Sequence, residues 1–228
     1  LNKPEVKIVT LEDPVEYQLA GINQVQVQPA IGFDFAHGLR SIVRQDPDII
    51  MVGEIRDKET AAVAMQSALT GHLVFSTVHT NDTPSAYTRL LDLGVEEFLL
   101  NAALRAIIGQ RLARRLCPQC AAPHADADQL MKDLDLQPLA ERVGIEKPQL
   151  LDAIGCEACS GTGYKGRVAV AEYLRCDEHI RALSKGPDFI PAARAYARSK
   201  GWRTLVEDGF VKAMRGVTTV AEVLRVAG

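Results

Sequence analysis

The stretch DPDIIMVGEIRD, residues 46–57, contains the apolar run IIMV, which ends at Gly53 and Glu54. A short apolar run of this kind is typical of a strand that is buried on both faces of a parallel sheet. Helical patterns lie on either side of it, from Phe35 to Arg44 and from Lys58 to Leu69. The sequence therefore predicts an α/β domain in which helices cover a buried parallel sheet.

Two further runs have the same form. VKIVTL, from Val6 to Leu11, is followed by Glu12 and Asp13, and LVFSTV, from Leu73 to Val78, is followed by His79. In a parallel α/β sheet the carboxyl ends of the strands meet at one edge, and ligands bind there. We therefore expect the ionisable groups that follow the three strands to lie at that edge.

The remaining pattern predicts more strands and helices. Ile22 to Val27 (INQVQV) alternates apolar and polar residues, which indicates a half-exposed strand. Thr83 to Leu93 and Glu96 to Leu116 are predicted helices, and the second ends in basic residues that complement its dipole. A polar and helical insert separates the cysteine pairs, and the chain is mostly helical from about Cys176 onward.

Composition excludes several classes of protein. The chain has 228 residues, is 47% hydrophobic and carries a formal net charge of -3. A general electrostatic grip on nucleic acid usually requires a basic domain, so no nucleic-acid partner is expected. No run approaches the roughly 18 apolar residues of a membrane span, and no secretory signal is visible. The predicted location is the cytoplasm, with membrane contact only through a partner.

Four of the five cysteines form two C-x-x-C pairs, Cys117 with Cys120 and Cys156 with Cys159. This spacing lets each pair supply two thiolates to one tetrahedral Zn²⁺, and four thiolates would make the site structural rather than catalytic. The alternatives are two disulfides or four unrelated thiols, but disulfides are rare in cytosolic proteins. Cys176 is predicted to be an ordinary core or surface thiol.

Each acidic or histidine signal is weak alone. IIMVGE has the form of a Walker B strand that delivers a carboxylate to a Mg²⁺–nucleotide site, and the alternative is an ordinary buried strand with a solvated Glu54 at its end. Glu12 and Asp13 could cap a helix or precede a turn at Pro14. His72 and His79 stand at the two ends of one predicted strand, and a lone histidine is more often structural than catalytic.

In combination and in order, the motifs resemble those of a known family. TLEDPVEY (residues 10–17), FAHGLRSIVRQDPDIIMVGEIRD (35–57) and TGHLVFSTVHTND (70–82) are similar to the Asp box, Walker B and His box of the type II secretion/type IV pilus traffic ATPases. The tetracysteine segment, which ends in GYKGR at residues 163–167, resembles the zinc module of the GspE and PilB branches. The resemblance covers essentially the whole chain.

The resemblance implies a RecA-like hexameric ATPase that uses ATP and Mg²⁺ to drive pseudopilus or pilus assembly. It implies that Glu12 polarises the attacking water, that Asp13 supports it, and that Glu54 acts through Mg²⁺ and its waters. His79, with His72, would hold the γ-phosphate end. A further set of basic residues would offset phosphate charge or hold subunit contacts, with surface salt bridges as the alternative: Arg40, Arg44 and Arg56.

One element of the family is missing from this sequence. No G-x-x-x-x-G-K-[ST] motif occurs, although the family has this Walker A loop just before the first strand seen here. Its backbone amides and lysine cradle the phosphates. The chain is therefore expected to be a C-terminal portion that hydrolyses ATP negligibly by itself.

The predicted domains are a RecA-like core lacking Walker A (1–116), a zinc subdomain (117–175) and a helical C-terminal subdomain (176–228). The first functional hypothesis is a type II secretion ATPase that forms a homo-hexamer on inner-membrane platform proteins, and a PilB-like pilus extension ATPase is the alternative. A non-catalytic zinc-ribbon binding module is the hypothesis from another class. In that case a basic patch would lie beside the metal, formed by Arg105, Arg111, Arg114 and Arg115.

Overall fold

The structure is a computed structural model that describes residues 1–228, and it divides into two units. The first contains residues 1–107 and 175–193, and the second contains residues 108–174 and 194–228. The predicted cysteine segment 117–175 lies in the second unit apart from Arg175. The division of the sequence into three domains stays a prediction.

A four-stranded parallel sheet forms the centre of the first unit, in the order β2-β1-β3-β4. The inner strands, β1 and β3, consist of apolar residues apart from Thr10 and the terminal Glu12, and they are almost fully buried, as expected for strands covered on both faces. The predicted strands are confirmed, with small differences at their ends. The bounds are Ile8–Glu12 for β1, Asn23–Gln26 for β2, Ile49–Val52 for β3 and Leu73–Ser76 for β4.

Strand β4 lies at one edge of this sheet. Its apolar sequence resembles that of a buried strand, yet Leu73 and Phe75 are 44% and 45% exposed. The free edge of β4 therefore combines an open backbone with apolar side chains.

Four helices accompany the sheet, and two of them begin at aspartate caps. Asp34 accepts a hydrogen bond from the backbone N–H of His37, and Asp57 accepts one from that of Thr60. Such caps satisfy backbone donors that the first turn of a helix leaves unpaired. The helices are α1 (Phe35–Ile42), α2 (Lys58–Leu69), α3 (Ser85–Asp92) and α4 (Glu97–Ala103).

The predicted helix from Glu96 to Leu116 is wrong in its second half. Helix α4 ends at Ala103, and residues Ala106–Leu116 form a strand, β5. The β-branched Ile107 and Ile108 and the following Gly109 disfavour a helix, and β5 gains a partner by pairing with β8, the strand Tyr164–Arg175. The arginines of this segment therefore lie along a strand and complement no helix dipole, and the first C-x-x-C pair follows a strand.

The second unit contains two small sheets, one of β5 with β8 and one of β6 with β7, the latter antiparallel. Two short helices lie between the cysteine pairs, which confirms the predicted helical insert. The elements are β6 (Ala121–Pro123), α5 (Ala127–Asp133), α6 (Gln137–Arg142), β7 (Leu151–Ala153) and β8 (Tyr164–Arg175).

The last part of the chain is helical, as predicted. Helices α9 and α10 supply much of the core of the second unit, where they join Leu136, Leu139 and Leu150. None of the helices has both the length and the apolar character needed to span a bilayer. The helices are α7 (Glu178–Ala182), α8 (Phe189–Ser199), α9 (Leu205–Met214) and α10 (Val220–Ala227).

One charged group in the second unit is fully buried. The side chain of Glu222 in α10 is 0% exposed and forms ion pairs with Arg114 of β5 and Arg225. The guanidinium of Arg114 also lies 4.1 Å from the ring centroid of Tyr164. Two cations and a backbone N–H from Arg114 thus compensate the buried carboxylate.

Candidate functional site

The parallel register brings three predicted site residues to one edge of the sheet. Leu11 pairs with Val52, and Val52 pairs with Ser76, so the neighbouring strands β1, β3 and β4 end at the same level. Glu12 ends β1, Glu54 lies two residues after β3, and His79 lies three residues after β4. The edge therefore carries two carboxylates and an imidazole.

Gly53 allows the chain to approach closely between β3 and Glu54. Its N–H donates to the carbonyl of Leu11 at 2.7 Å, which continues the pairing with β1 beyond the last residue of β3. A Cβ at this position would lie 3.1 Å from that same carbonyl oxygen, tighter than ordinary contact. A residue without a side chain thus fits where the strand delivers Glu54 to the edge.

Only 13% of the side chain of Glu54 is accessible to solvent. Its Oε2 accepts a hydrogen bond from Nε of Arg56 and lies 3.7 Å from Nε2 of His79. Arg56 and His79 are themselves 70% and 86% exposed. Glu54 is therefore a largely buried carboxylate with two exposed basic groups beside it.

Glu12 is held by two residues that the sequence analysis did not single out. Its Oε1 accepts hydrogen bonds from Oγ1 of Thr10 and from Nε2 of Gln24, the latter at 2.9 Å. The only sequence signal was the alternation of INQVQV, which places Gln24 and Gln26 on one face. Asp13, the next residue, is exposed and joined to Pro14 by a cis peptide bond.

Two other predicted nucleotide-binding residues have partners outside this cluster. His72 precedes β4 at the opposite end of the strand from His79, and its Nδ1 lies 2.9 Å from the carbonyl oxygen of Ser67. Arg40 of α1 forms an ion pair with Glu59 of α2. The side chain of Arg44 is exposed.

The four predicted zinc ligands do meet. Their Sγ atoms all lie within 4.8 Å of one another. Three separations are 3.9 Å for Cys117–Cys156, 3.8 Å for Cys120–Cys159 and 3.8 Å for Cys156–Cys159. A regular tetrahedron with Zn–S bonds of about 2.3 Å has edges of about 3.8 Å, so the arrangement fits a tetrathiolate zinc ion.

Two glycines shape the backbone around the sulfurs. Gly155 has φ 106 and Gly163 has φ 74, and a Cβ on Gly163 would lie 2.6 Å from that of Ala153. The carbonyl of Gly163 also accepts the N–H of Cys117, which ties the first pair to the second. Left-handed backbone and close packing both favour glycine at these positions.

Backbone N–H groups donate to two of the sulfurs. Burial acts to raise the pKa of Cys159, but N–H donation from Cys156 and Gly163 outweighs it and lowers the pKa to about 6. Burial raises the pKa of Cys120 to about 12, against the donated N–H of Gly155. The backbone donors thus favour the thiolate form of Cys159, and a divalent cation would supply the charge that favours the other thiolates.

Comparison with known proteins extends this picture. A family model described as Type II/IV secretion system protein matches residues 1–225. Type II secretion system protein E of Xanthomonas campestris pv. campestris is 48% identical over 228 residues, which cover 99% of this chain and 39% of that protein. Type IV pilus assembly ATPase PilB of Thermus thermophilus is 48% identical over 221 residues, 97% of this chain and 24% of PilB.

Solved structures agree on the fold. The crystal structure of the pilus retraction motor PilT with bound ADP matches with a TM-score of 0.65 and 25% identity, over 98% of this chain and 53% of that one. The structure of the ATPase DotB of Legionella pneumophila matches with a TM-score of 0.64 and 23% identity, over 96% of this chain and 50% of that one. At this identity the match supports the fold only.

The chain spans between about a quarter and two fifths of the length of the two curated relatives described above. The predicted fold class, a RecA-like α/β parallel sheet with an accompanying tetracysteine cluster, is confirmed. Since the family model covers almost every residue and the curated relatives share nearly half of their aligned positions with it, the chain belongs to the type II/IV secretion system protein family.

Proposed function

We propose that this chain is part of a traffic ATPase that converts ATP hydrolysis into the assembly of a pseudopilus or pilus. The observation that carries the proposal is the placement of Glu12 and Glu54 at the ends of adjacent parallel strands, with His79 beside Glu54. Carboxylates at such an edge suit a nucleotide site, because they can orient the attacking water and the waters of Mg²⁺. The names of the curated relatives support the same activity.

Each edge residue has a role in this proposal. Glu12 polarises the attacking water with Asp13 in support, Glu54 orients metal-bound waters, and His79 contacts the γ-phosphate end. Mg²⁺, bound with the nucleotide, neutralises phosphate charge. Arg56 forms an ion pair with Glu54, and in this proposal its guanidinium binds a phosphate of the nucleotide instead. His72 and Arg40 have partners outside the cluster and Arg44 is exposed, so we assign these three no step here.

The branch and the setting of the motor are also proposals. Type II secretion is our first assignment, on the segments LTGHLV (69–74) and GVTTVAEVLRV (216–226), and PilB-like pilus extension is the alternative. The two curated relatives named above are equally identical to the chain. We propose a cytoplasmic homo-hexamer that contacts inner-membrane platform proteins, with a structural zinc ion held by the four cysteines.

A chimaera tests the catalytic part. The chain replaces the matching 228 residues of the Xanthomonas protein E, which supplies the rest of the motor. We expect ATP turnover that rises with protein concentration, and we expect Glu12→Gln and Glu54→Gln each to lower it by about 100-fold or more. Glu146→Gln, an exposed glutamate in the second unit, is the matched control and should leave turnover unchanged.

Three results would contradict the proposal. Full turnover in both edge variants would remove Glu12 and Glu54 from the chemistry. Sustained Mg²⁺-dependent turnover by the 228-residue chain itself would contradict the need for a separate phosphate-binding loop. Restored piliation in a strain without PilB, with no restored protein export in a strain without protein E, would reverse the choice of branch.

A further inference from the structure

The side-chain amide of Gln24 in β2 makes three hydrogen bonds at once. Its Nε2 donates to Oε1 of Glu12 at 2.9 Å and to the carbonyl oxygen of Tyr17 at 2.9 Å. Its Oε1 accepts the N–H of Leu19 at 2.7 Å. One half-buried side chain therefore links a proposed catalytic carboxylate to the loop that follows it.

The two backbone partners fix which way the amide faces. An amide has two N–H donors on nitrogen and only acceptors on oxygen. The N–H of Leu19 requires the oxygen, and the carbonyl of Tyr17 requires the nitrogen. The second N–H on that nitrogen is then directed at Glu12. The loop therefore determines that the NH₂ group of Gln24, and not its oxygen, faces the carboxylate.

The bond from Gln24 leaves one oxygen of Glu12 available. Thr10, which is only 4% exposed, donates to the same Oε1. The parallel register pairs Thr10 with Gln24, so both donors approach from one level of the sheet. With Oε1 engaged twice, the carboxylate has a fixed plane, and Oε2 is the oxygen left for a water.

We propose that Gln24 is a positioning residue for Glu12 and that Thr10 assists it. This inference rests on the proposed function, because it acts through the role of Glu12. Fixing the orientation of a general base matters, since a misplacement of about 1 Å can cost about 100-fold in rate. The same amide makes the position of Glu12 depend on the order of the loop from Val15 to Gly21.

Two substitutions separate the bonds that Gln24 donates from the bond that it accepts. Gln24→Glu keeps an acceptor for Leu19 but loses both donated bonds, to Glu12 and to the carbonyl of Tyr17, whereas Gln24→Leu loses all three bonds. In the chimaera at pH 8 we expect both variants to lower kcat by about tenfold or more, with KM for ATP within about twofold. Hydrogen exchange of the 228-residue chain should show loss of protection at Leu19 in Gln24→Leu only.

Gln26→Glu is the matched control. Gln26 is the register partner of Glu12, so this variant adds the same negative charge beside Glu12 while the Gln24 donor stays. We expect its kcat to stay within about threefold of the parent value.

Each contrary outcome points to a different failure. Full kcat in Gln24→Glu with reduced kcat in Gln24→Leu would mean that the amide serves the loop alone, and the inference would be overturned. An equal loss in Gln26→Glu would attribute the effect to added charge and overturn it as well. Full activity in Glu12→Gln would instead contradict the proposed function, whatever the Gln24 variants do.

Discussion

A carboxylate without any exposed surface, that of Glu222, lies between Arg114 and Arg225. Hydrogen bonds from Arg225 lower its pKa most, burial acts in the opposite direction, and Arg114 lowers it further, to about 2 from an ordinary 4.5. A depressed folded-state pKa stabilises the folded chain above the unfolded value, and that stabilisation disappears as the pH falls toward the folded value.

We therefore predict that Glu222→Gln destabilises the chain at neutral pH by up to about 3 kcal/mol. The difference in the free energy of unfolding between parent and variant should shrink as the pH falls from about 5 to about 2. Denaturant titrations of both proteins at several pH values measure this. A difference that stays constant with pH would contradict the depressed pKa.

Gly163 allows a second prediction at the residue scale. Gly163→Ala should destabilise the second unit by about 2 kcal/mol, because the new Cβ would lie 2.6 Å from that of Ala153 at a positive φ. Gly161→Ala is the control: it has φ 76, but nothing lies within 4 Å of the added Cβ, so only the backbone cost of about 1 kcal/mol applies. Thermal unfolding of both variants makes the comparison, and equal losses would contradict the role of close packing.

At the scale of elements, the approach of α9 to α10 depends on Gly209. A Cβ there would overlap Cγ1 of Val223, which is fully buried. We predict that Gly209→Ala destabilises the chain by about 1–3 kcal/mol, although alanine is the better helix former.

The double variant Gly209→Ala with Val223→Ala tests that reason. It should be more stable than the sum of the two single changes predicts, by about 1 kcal/mol, because Val223→Ala removes the methyl groups that the new Cβ would overlap, and that Cβ fills part of the space left by Val223. Additive losses in denaturant titrations would mean that the two helices do not meet through this pair.

Elements with strong local signals could be predicted from the sequence. Burial explains the apolar runs of β1 and β3, and helix propensity explains the alanine-rich α2 (Lys58–Leu69). The apolar run of β4 also predicted a strand, although its side chains are largely exposed. β5 was not predicted, because the second half of its segment, QRLARRL, consists mostly of good helix formers, and its pairing with β8, about 50 residues further along the chain, is not visible in the local sequence.

The candidate sites divide in the same way. The spacing of the cysteines was enough to predict the zinc ligands Cys117, Cys120, Cys156 and Cys159. The ends of the predicted strands were enough to place Glu12, Glu54 and His79 at one edge of the sheet. The contacts of Gln24 with Glu12 were not predictable, since they depend on which strand lies next to β1. The same limit applies to His72. The sequence placed it at a strand end but did not show which groups surround it.

At the scale of the whole molecule, the two units should respond differently to loss of the metal. We predict one zinc ion per chain and, after chelation, faster hydrogen exchange around residues 117–163 with little change in β1 and β3. Metal binding at such sites is coupled to folding, so removal of the metal should destabilise the structure around the cysteines. Zinc analysis and hydrogen exchange with and without a chelator measure the two effects.

Cys159→Ser and Cys176→Ser form a matched pair for this prediction. Cys159 belongs to the cluster and its loss should abolish stoichiometric zinc, whereas Cys176 is buried in the first unit and its variant should keep one ion per chain. Absence of zinc from the parent protein, or its retention in Cys159→Ser, would contradict the tetrathiolate site.

The open edge at β4 also governs how the isolated chain behaves in solution. Edge strands are normally protected by lysine, proline or a bulge, and the sequence of β4, LVFS, offers no charge or proline. Its short length limits the attraction, but Leu73 and Phe75 remain available to the next molecule. Concentrated solutions of the isolated chain should therefore turn turbid, because molecules associate through the edges of β4. A charged residue in β4, or a partner strand bound to it, should increase the solubility of the chain.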